Sequence, residues 1–405
     1  MIQNSFLDAF NKLSAYEGIK LTGKSKADVF ERALISHWLQ DELPISLLSK
    51  KKQRNWLSCL GHINKPVFSF EAIPFGPPSK NSFKFIDLFA GIGGFRLALQ
   101  DLSGKCVFSS EWNPAAQHTY FKNYGEYPFG DIREFTSENI ANSKLASLIP
   151  DHDLLAAGFP CQPFSHAGVS ARTSVGKSHG FECETQGTLF FDICRLVNAK
   201  KPKVLFLENV KSLQGHDEGR TMKTIENSIL ELGYDFVPQI IDSSPIVPQR
   251  RKRCYMVCFR KDLNINFKFP EITGEPLNLK SILESDVDDS YTISDRLWQG
   301  HINRSARNVA RGTGFTAYTA DINKPSNTLV ARYGKDGKEC LIAQPNKNPR
   351  FLTPRECSRL QGFPENFIIP ESRTPAYQQF GNSVSVPVIK IIAQAILEQT
   401  KLNKD

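Results

Sequence analysis

A chain of 405 residues, 40% hydrophobic and 23% charged, has an ordinary globular composition with room for two or three domains. No apolar run approaches the roughly 18–20 residues of a membrane span and no basic-then-apolar leader pattern opens the chain, so a cytoplasmic protein with no membrane partner is expected. Fifty basic against 42 acidic residues give a formal charge of +8, which permits a polyanionic partner, and nine cysteines without a Cys-x-x-Cys pair argue against a zinc ribbon or a thioredoxin-type motif, so no metal is expected. In chain order, residues 1–80 carry helical patterns, clearest over 25–39, where Val29, Phe30, Ala33 and Trp38 fall near one helical face. The Pro-rich run Ile73-Pro74-Phe75-Gly76-Pro77-Pro78-Ser79 then punctuates the chain as a linker would, marking 1–80 as an N-terminal helical extension. Over 81–261, apolar runs at 83–89, 106–110, 154–157, 204–208, 236–241 and 255–259 alternate with helical patterns, the signature of a doubly wound, mostly parallel α/β sheet. Between 262 and 349 the alternation stops and Gly, Asn, Thr and Arg become frequent, which predicts a smaller, irregular, β-rich domain. Residues 350–405 resume helical periodicity and end in a helix over 386–398.

Several short runs carry chemistry. The first strand leads into Phe89-Ala90-Gly91-Ile92-Gly93-Gly94-Phe95-Arg96, where glycines let the backbone approach a ligand. A dinucleotide fingerprint needs glycine at 96, and Arg96 stands there, which leaves a plain tight turn or another ligand loop. Glu111 after the second strand can bind ribose hydroxyls, and Trp112 offers an aromatic face. Gly158-Phe159-Pro160-Cys161-Gln162-Pro163-Phe164-Ser165 puts one thiol on a turn that two prolines hold in shape, either as an inert core cysteine or as a nucleophile. Glu208 ends the next apolar run, where a carboxylate serves as an ion-pair partner or, with its pKa raised by desolvation, as an acid. In Gln249-Arg250-Arg251-Lys252-Arg253, strand spacing puts Arg251 and Arg253 on one side, and Cys254 and Cys258 read as core. Thr353, Pro354 and Glu356 form a capping-box helix start.

This ordered set, from the Gly-rich loop through Cys161, Glu208 and Gln249 to Arg253 to the late segment Gly381-Asn382-Ser383-Val384, resembles the bacterial C5-cytosine-specific DNA methyltransferases over about three quarters of the chain. The resemblance implies the Rossmann-like fold of S-adenosylmethionine (SAM)-dependent methyltransferases, with S-adenosylhomocysteine as the product. It assigns Cys161 to attack on C6 of a flipped cytosine, Glu208 to protonation of N3, Arg253 to O2, Arg251 to holding the site together, and places Ser165 in the catalytic set. It assigns cofactor binding to Phe89, Gly91, Gly93, Gly94, Glu111, Trp112, Asp131, Ile132, Pro160, Leu189, Asn382, Ser383 and Val384. Residues 262–349 become a target-recognition domain and 350–405 the return to the catalytic domain. Arg304, Arg307, Arg311 and Arg332 are its candidate DNA contacts, with Arg296, His301, Asn303 and Asn308 as further donors. The segments after Ala310 and Asn327 look like the target region of enzymes that methylate the inner cytosine of CC(N)GG or CCGG sites, with departures at Thr313 and Thr316. Double-stranded DNA is the implied partner, met as a monomer, by a solitary methylase or one functionally paired with a restriction endonuclease. An RNA methyltransferase on the same fold is the alternative that the long target region disfavours, and DNA-binding regulation is a second role open to residues 1–80. Removal of residues 1 to about 75 is expected to leave site preference intact, because the Pro-rich run would hold that segment apart from the sheet.

Overall fold

The computed structural model describes residues 4–41, 43, 47–160, 189–312 and 319–400. Its centre is a six-stranded sheet in the order β4-β3-β5-β6-β8-β7. The strands are β3 (Phe83–Leu88), β4 (Gly104–Ser110), β5 (Leu154–Gly158), β6 (Val204–Val210), β7 (Tyr234–Asp242) and β8 (Lys252–Arg260). β3 pairs in parallel with β4 and β5, and β5 with β6, while β8 runs antiparallel to β6 and β7. All six apolar runs became strands: β3, β4, β5 and β6 are parallel and buried on both faces, where near-continuous hydrophobicity is needed, whereas β7 is a half-exposed antiparallel edge strand.

Alternation along the strands divides the interior in two. Phe83, Phe85, Ala156, Phe206 and Val257 share one core with the helices Gly94–Gln100 and Val386–Thr400. Ile86, Leu88, Leu155, Leu207 and Met256 share the other with the helices Leu189–Lys200 and Arg220–Glu231. The span Arg373–Thr400 is apolar and long enough to cross a membrane by composition, yet 72% of its most apolar window is buried inside the protein. Its hydrophobicity therefore serves the first core.

The N-terminal segment belongs to the second core. Helices Phe6–Tyr16, Lys26–Leu39 and Lys50–Leu60 start at Ser5, Ser25 and Ser49, whose hydroxyls cap them. Strands β1 (Asn4–Ser5) and β2 (Phe68–Ser69) pair in parallel and tie the ends of this unit together. Phe6, Phe10, Leu13, Ile35, Trp38 and Trp56 are buried in the same cluster as Ile86, Leu88 and Phe108 of the sheet. The expectation that the Pro-rich run holds this segment off the sheet is therefore corrected. Helix Lys26–Leu39 is buried on every side from Arg32 onward, so its single amphipathic face is hard to read. Arg32 is tolerated there because its guanidinium donates to the carbonyls of Lys20, Leu21 and Gly23 at 2.8–3.0 Å.

Residues 262–349 are irregular, as the composition implies, but the β-rich expectation is corrected among the described residues. Strand there is confined to β9 (Ile342–Gln344) and the start of β10 (Lys347–Arg350), while helix Asp295–Ala310, capped by Ser294, is its longest element. Leu297, Trp298 and His301 at helical spacing are the signal that the Gly, Asn and Arg content masked. The helix Pro354–Leu360 has the expected capping box, and Glu356 also takes two hydrogen bonds of 2.8 Å from Arg350.

Deleting residues 1–60 should strip one wall from the second core. The expected result is a chain that loses its cooperative thermal transition and exposes apolar surface to a hydrophobic dye, and a truncation melting like the full chain would show the segment to be dispensable.

Candidate active site

Three residues of the loop after β3 hold left-handed backbone: Phe89 (φ 55°), Gly91 (φ 56°) and Gly93 (φ 83°). Glycine adopts that region freely, whereas a phenylalanine there is strained and must be held by its surroundings. A methyl group on Gly93 would collide with the Tyr124 ring, and one on Gly94 would meet Val384 Cγ2 at 2.7 Å and Ser383 Oγ at 3.2 Å. At Gly91 the same methyl would meet nothing within 4 Å, so space opens beside the loop there.

Glu111 closes that space from below. Its carboxylate accepts the Gly91 N–H at 2.8 Å and the Asn113 N–H at 2.7 Å, leaving acceptor capacity on both oxygens. Burial raises its pKa, against the pull of those N–H groups. Trp112 beside it is 73% exposed. Asp131 accepts Arg133 Nε on both oxygens at 3.0 Å, and the side chain of Ile132 is buried in the core below. Leu189 starts helix Leu189–Lys200 half-buried on the same side of the sheet. Asn382 is exposed where the late segment reaches Gly94, and Ser383 and Val384 are buried against it.

Glu208 sits near the end of β6, in register with Gly158, the last residue of β5. Its Oε2 would lie 3.6 Å from a methyl group on Gly158, and its Oε1 lies 3.2 Å from Arg253 Nε. Burial raises the Glu208 pKa, with Arg253 and then Arg251 opposing it. Asn209 donates from Nδ2 to the Phe159 carbonyl at 2.9 Å, which fixes the chain as it enters the loop. Pro160 is exposed at that point, and Cys161 and Ser165 lie outside the described residues.

The Gln249 to Arg253 run divides by role. Arg251 is 3% exposed and donates to the carbonyls of Leu329, Gly381 and Ser383, so it joins the target region to the late segment. Burial lowers its pKa to about 9. Gln249 accepts the Leu329 N–H at 2.8 Å and donates to the Leu360 carbonyl at 3.1 Å. In the target region, Arg307 and Arg311 are exposed at the end of helix Asp295–Ala310. Arg304 pairs with Asp336 at 3.3 Å, and Arg332 with Glu339 at 3.6 Å. His301 is fully buried with a ring nitrogen 2.8 Å from the Asp336 carbonyl, so its place as an open DNA donor is corrected. Among the described residues, no group of three or more His, Cys, Asp or Glu side chains is placed to hold a metal ion.

The C-5 cytosine-specific DNA methylase family matches residues 83–398. The chain belongs to that family. It is 48% identical over 341 residues to the type II methyltransferase M1.ScrFI of Lactococcus lactis subsp. cremoris, covering 82% of this chain and 83% of that one. It is 45% identical over 368 residues to the type II methyltransferase M.SsoII of Shigella sonnei, covering 88% and 92%. Among solved structures, a Spodoptera frugiperda DNMT2 mutant superposes with a TM-score of 0.59 at 20% identity, over 78% of this chain and 99% of that one, which is a likeness of fold. The protein is thus a DNA-cytosine methyltransferase.

Three residues around this methylase site carry no obvious sequence signal. Asp87 is fully buried on β3, neither carboxyl oxygen takes a well-formed hydrogen bond among the described residues, and burial drives its pKa well above the usual carboxylate range. Tyr124 donates to the Gly93 carbonyl at 2.8 Å, a contact that crosses 31 positions. Asn209 stands beside Glu208 and would be legible only once β5 and β6 are known to be neighbours.

Replacing Arg251 with leucine leaves three carbonyls without their donor. We expect a loss of roughly 1.5–3 kcal/mol in stability, the scale of hydrogen bonds to a charged group, read as a lowered melting temperature. An unchanged melting temperature would contradict the clamp.

Proposed function

We propose that the protein transfers a methyl group from SAM to C5 of a flipped cytosine in a specific double-stranded DNA sequence, through a covalent bond from Cys161 to C6. The observation that carries this reading is Glu208, a buried carboxyl of raised pKa at the end of β6, set over the end of the strand that leads to Cys161. The loop fits the methyl donor: it has open space at Gly91, retained acceptor capacity on Glu111 and an exposed indole at Trp112. Phe89, Gly91, Gly93, Gly94, Glu111, Trp112 and Asp131 would hold the donor, with Pro160, Leu189 and the segment Asn382, Ser383 and Val384 around them and Ile132 supporting from the core. When bound, SAM supplies an electrophilic methyl group and leaves as S-adenosylhomocysteine.

The protein's own groups make cytosine C5 reactive. Addition of the Cys161 thiolate to C6 moves electron density to C5 as Glu208 gives its proton to N3, and Arg253 beside Glu208 is placed to hold O2. Once C5 carries the methyl group, loss of the C5 proton expels the thiolate and restores the ring. The base must leave the helix for this, at a cost of a few kcal/mol that protein contacts offset. Arg251 acts as a positioning residue, since its hydrogen bonds go to backbone carbonyls.

Residues 262–349 are the target-recognition unit in this reading, with Arg307, Arg311, Arg304 and Arg332 as DNA contacts. The two ion-paired arginines would exchange their carboxylate partners for phosphates or base edges. The type II names of the relatives favour pairing with a restriction endonuclease.

A duplex with 5-fluorocytosine at the target should trap the wild type as an SDS-stable adduct, because fluorine at C5 cannot leave as a proton. Cys161→Ser should give none, and trapping that persists would overturn the nucleophile. Glu208→Gln should slow single-turnover methylation by roughly 10²- to 10⁴-fold. In the wild type, the rate should fall as pH rises through the raised Glu208 pKa, since the protonated form is the donor. An RNA substrate serves as the control: methylation of RNA and not of DNA would reassign the enzyme.

Replacing Arg311 or Arg332 with alanine should cost about 1–3 kcal/mol of site preference per lost bidentate contact while SAM affinity holds. Methylation of a randomised DNA library reads this directly, and an unaltered preference in both variants would move recognition elsewhere.

A further inference from the structure

Helix Lys26–Leu39 and the residue that follows it reach the cofactor loop through a buried polar network. Gln40 donates from Nε2 to the carbonyls of Tyr124 and Gly125 at 3.2 and 2.9 Å. Ser36 Oγ accepts the Tyr127 N–H at 3.0 Å. His37 Nε2 lies 3.3 Å from Glu126 Oε1, with both side chains fully buried. All three therefore grip one turn, residues 124–127, from the same side.

That turn touches the loop after β3 twice. Tyr124 donates its hydroxyl to the Gly93 carbonyl, and its ring fills the space that a side chain at 93 would need. The other oxygen of Glu126 lies 2.6 Å from Arg96 Nη1, two residues into the helix that the loop begins. The Arg96 guanidinium stands 4.9 Å from the centre of the Tyr124 ring and 5.3 Å from that of Tyr120. Helix Lys26–Leu39 also packs against the residues before Asp131. Val29 Cγ1 would lie 3.2 Å from a methyl group on Gly130, next to Asp131, and the ring centres of Phe30 and His37 lie 5.7 and 4.6 Å from that of Phe129. The Phe129 carbonyl in turn accepts the Glu111 N–H at 3.0 Å.

We propose that Ser36, His37 and Gln40 are positioning residues of the cofactor site, and that the N-terminal segment is a brace setting the shape of the loop from Phe89 to Gly94. The inference rests on the reading that this loop holds SAM. A loop with three left-handed residues is not self-supporting, and its carbonyl at 93 and its arginine at 96 are held by a turn that the segment fixes. The brace packs in the second core, whereas Leu279, Leu329 and Tyr333 of residues 262–349 pack in the first, so its loss should act on SAM and not on the choice of DNA sequence.

The test is calorimetric titration of the full-length protein with SAM, alongside KM for DNA and the melting temperature. His37→Leu and Gln40→Leu should weaken SAM binding by roughly 2- to 30-fold, the range of couplings carried through a packed network, with KM for DNA unchanged. His37→Gln, whose amide reaches about as far as the imidazole Nε2, should restore most of the affinity. Trp56→Phe breaks the Trp56 to Glu17 hydrogen bond elsewhere in the segment and should lower the melting temperature only. If the leucine variants do not fold, Ser36→Ala removes only the hydroxyl's bonds to the Tyr127 N–H and the Ala33 carbonyl and is judged by the same criterion. SAM affinity that stays at the wild-type value in the folded variants, or that falls equally in Trp56→Phe, overturns the brace. A wild type that binds no SAM overturns the cofactor assignment itself, and the brace with it.

Discussion

Because β4 lies on one side of β3 and β5 on the other, the two connections leave the sheet in opposite directions and open a crevice at the carboxyl ends of the strands. The loop from Phe89 to Gly94 leaves the end of β3 on one wall. The chain toward Cys161 leaves β5, and Glu208 stands on β6. Parallel registry sets their spacing, with Leu88 opposite Ala157 and Gly158 opposite Glu208. Neighbouring strands are about 4.8 Å apart, so groups leaving the ends of β3, β5 and β6 can meet without long side chains, as the proposed function requires. Short reach makes for rigid placement, which is what a transfer between two bound partners needs.

The crevice is surrounded by buried charge, and each charge is answered locally. Arg96 and Glu126 pair with full burial on both sides, and Ser109 and His37 also engage the carboxylate. Arg251 donates to three carbonyls, and Arg32 to three others. Such groups stabilise little beyond an apolar replacement, but removing one partner strands the other, so they fix geometry more than they add stability. Asp87 departs from this pattern. With no well-formed hydrogen bond to either oxygen among the described residues, it is kept toward the neutral acid by desolvation, and Arg96 is the main group pulling the other way.

Legibility in the sequence followed how local each signal is. The six strands were readable because burial on both faces leaves an unbroken apolar run. Glu111, Glu208 and the glycine loop were readable because each sits at a strand end, where position alone suggests a site. Val384 and Ser383 could be tied to the loop at Gly94 only through the family resemblance, since nearly three hundred positions separate them. The docking of residues 1–60 was misread because a proline-rich run looks the same whether it separates two bodies or crosses the surface of one. His301 was misread for a related reason: a histidine on a polar helix gives no sign that its ring is turned inward to the Asp336 carbonyl. Tyr124 was invisible, as its use depends on a turn held from the N-terminal helix.

Residues 262–349 are joined to the sheet through one run, the start of β8 and its approach, and that join would set a DNA-reading surface in register with a methyl donor under the proposed function. Gln249 takes the Leu329 N–H, Arg251 takes the Leu329 carbonyl, and Ser326 bridges in parallel to Gln249. The target region is thereby bound at residues 326–329 to the strand that carries Arg253. The same Arg251 guanidinium reaches Gly381 and Ser383, and Gly381 packs so closely on the Val330 to Ala331 backbone that any side chain there would displace it. Ser383 and Val384 then press on Gly94. Under the proposed function, the path from the DNA-reading residues to the loop from Phe89 to Gly94 is thus a continuous series of packed contacts around one buried cation.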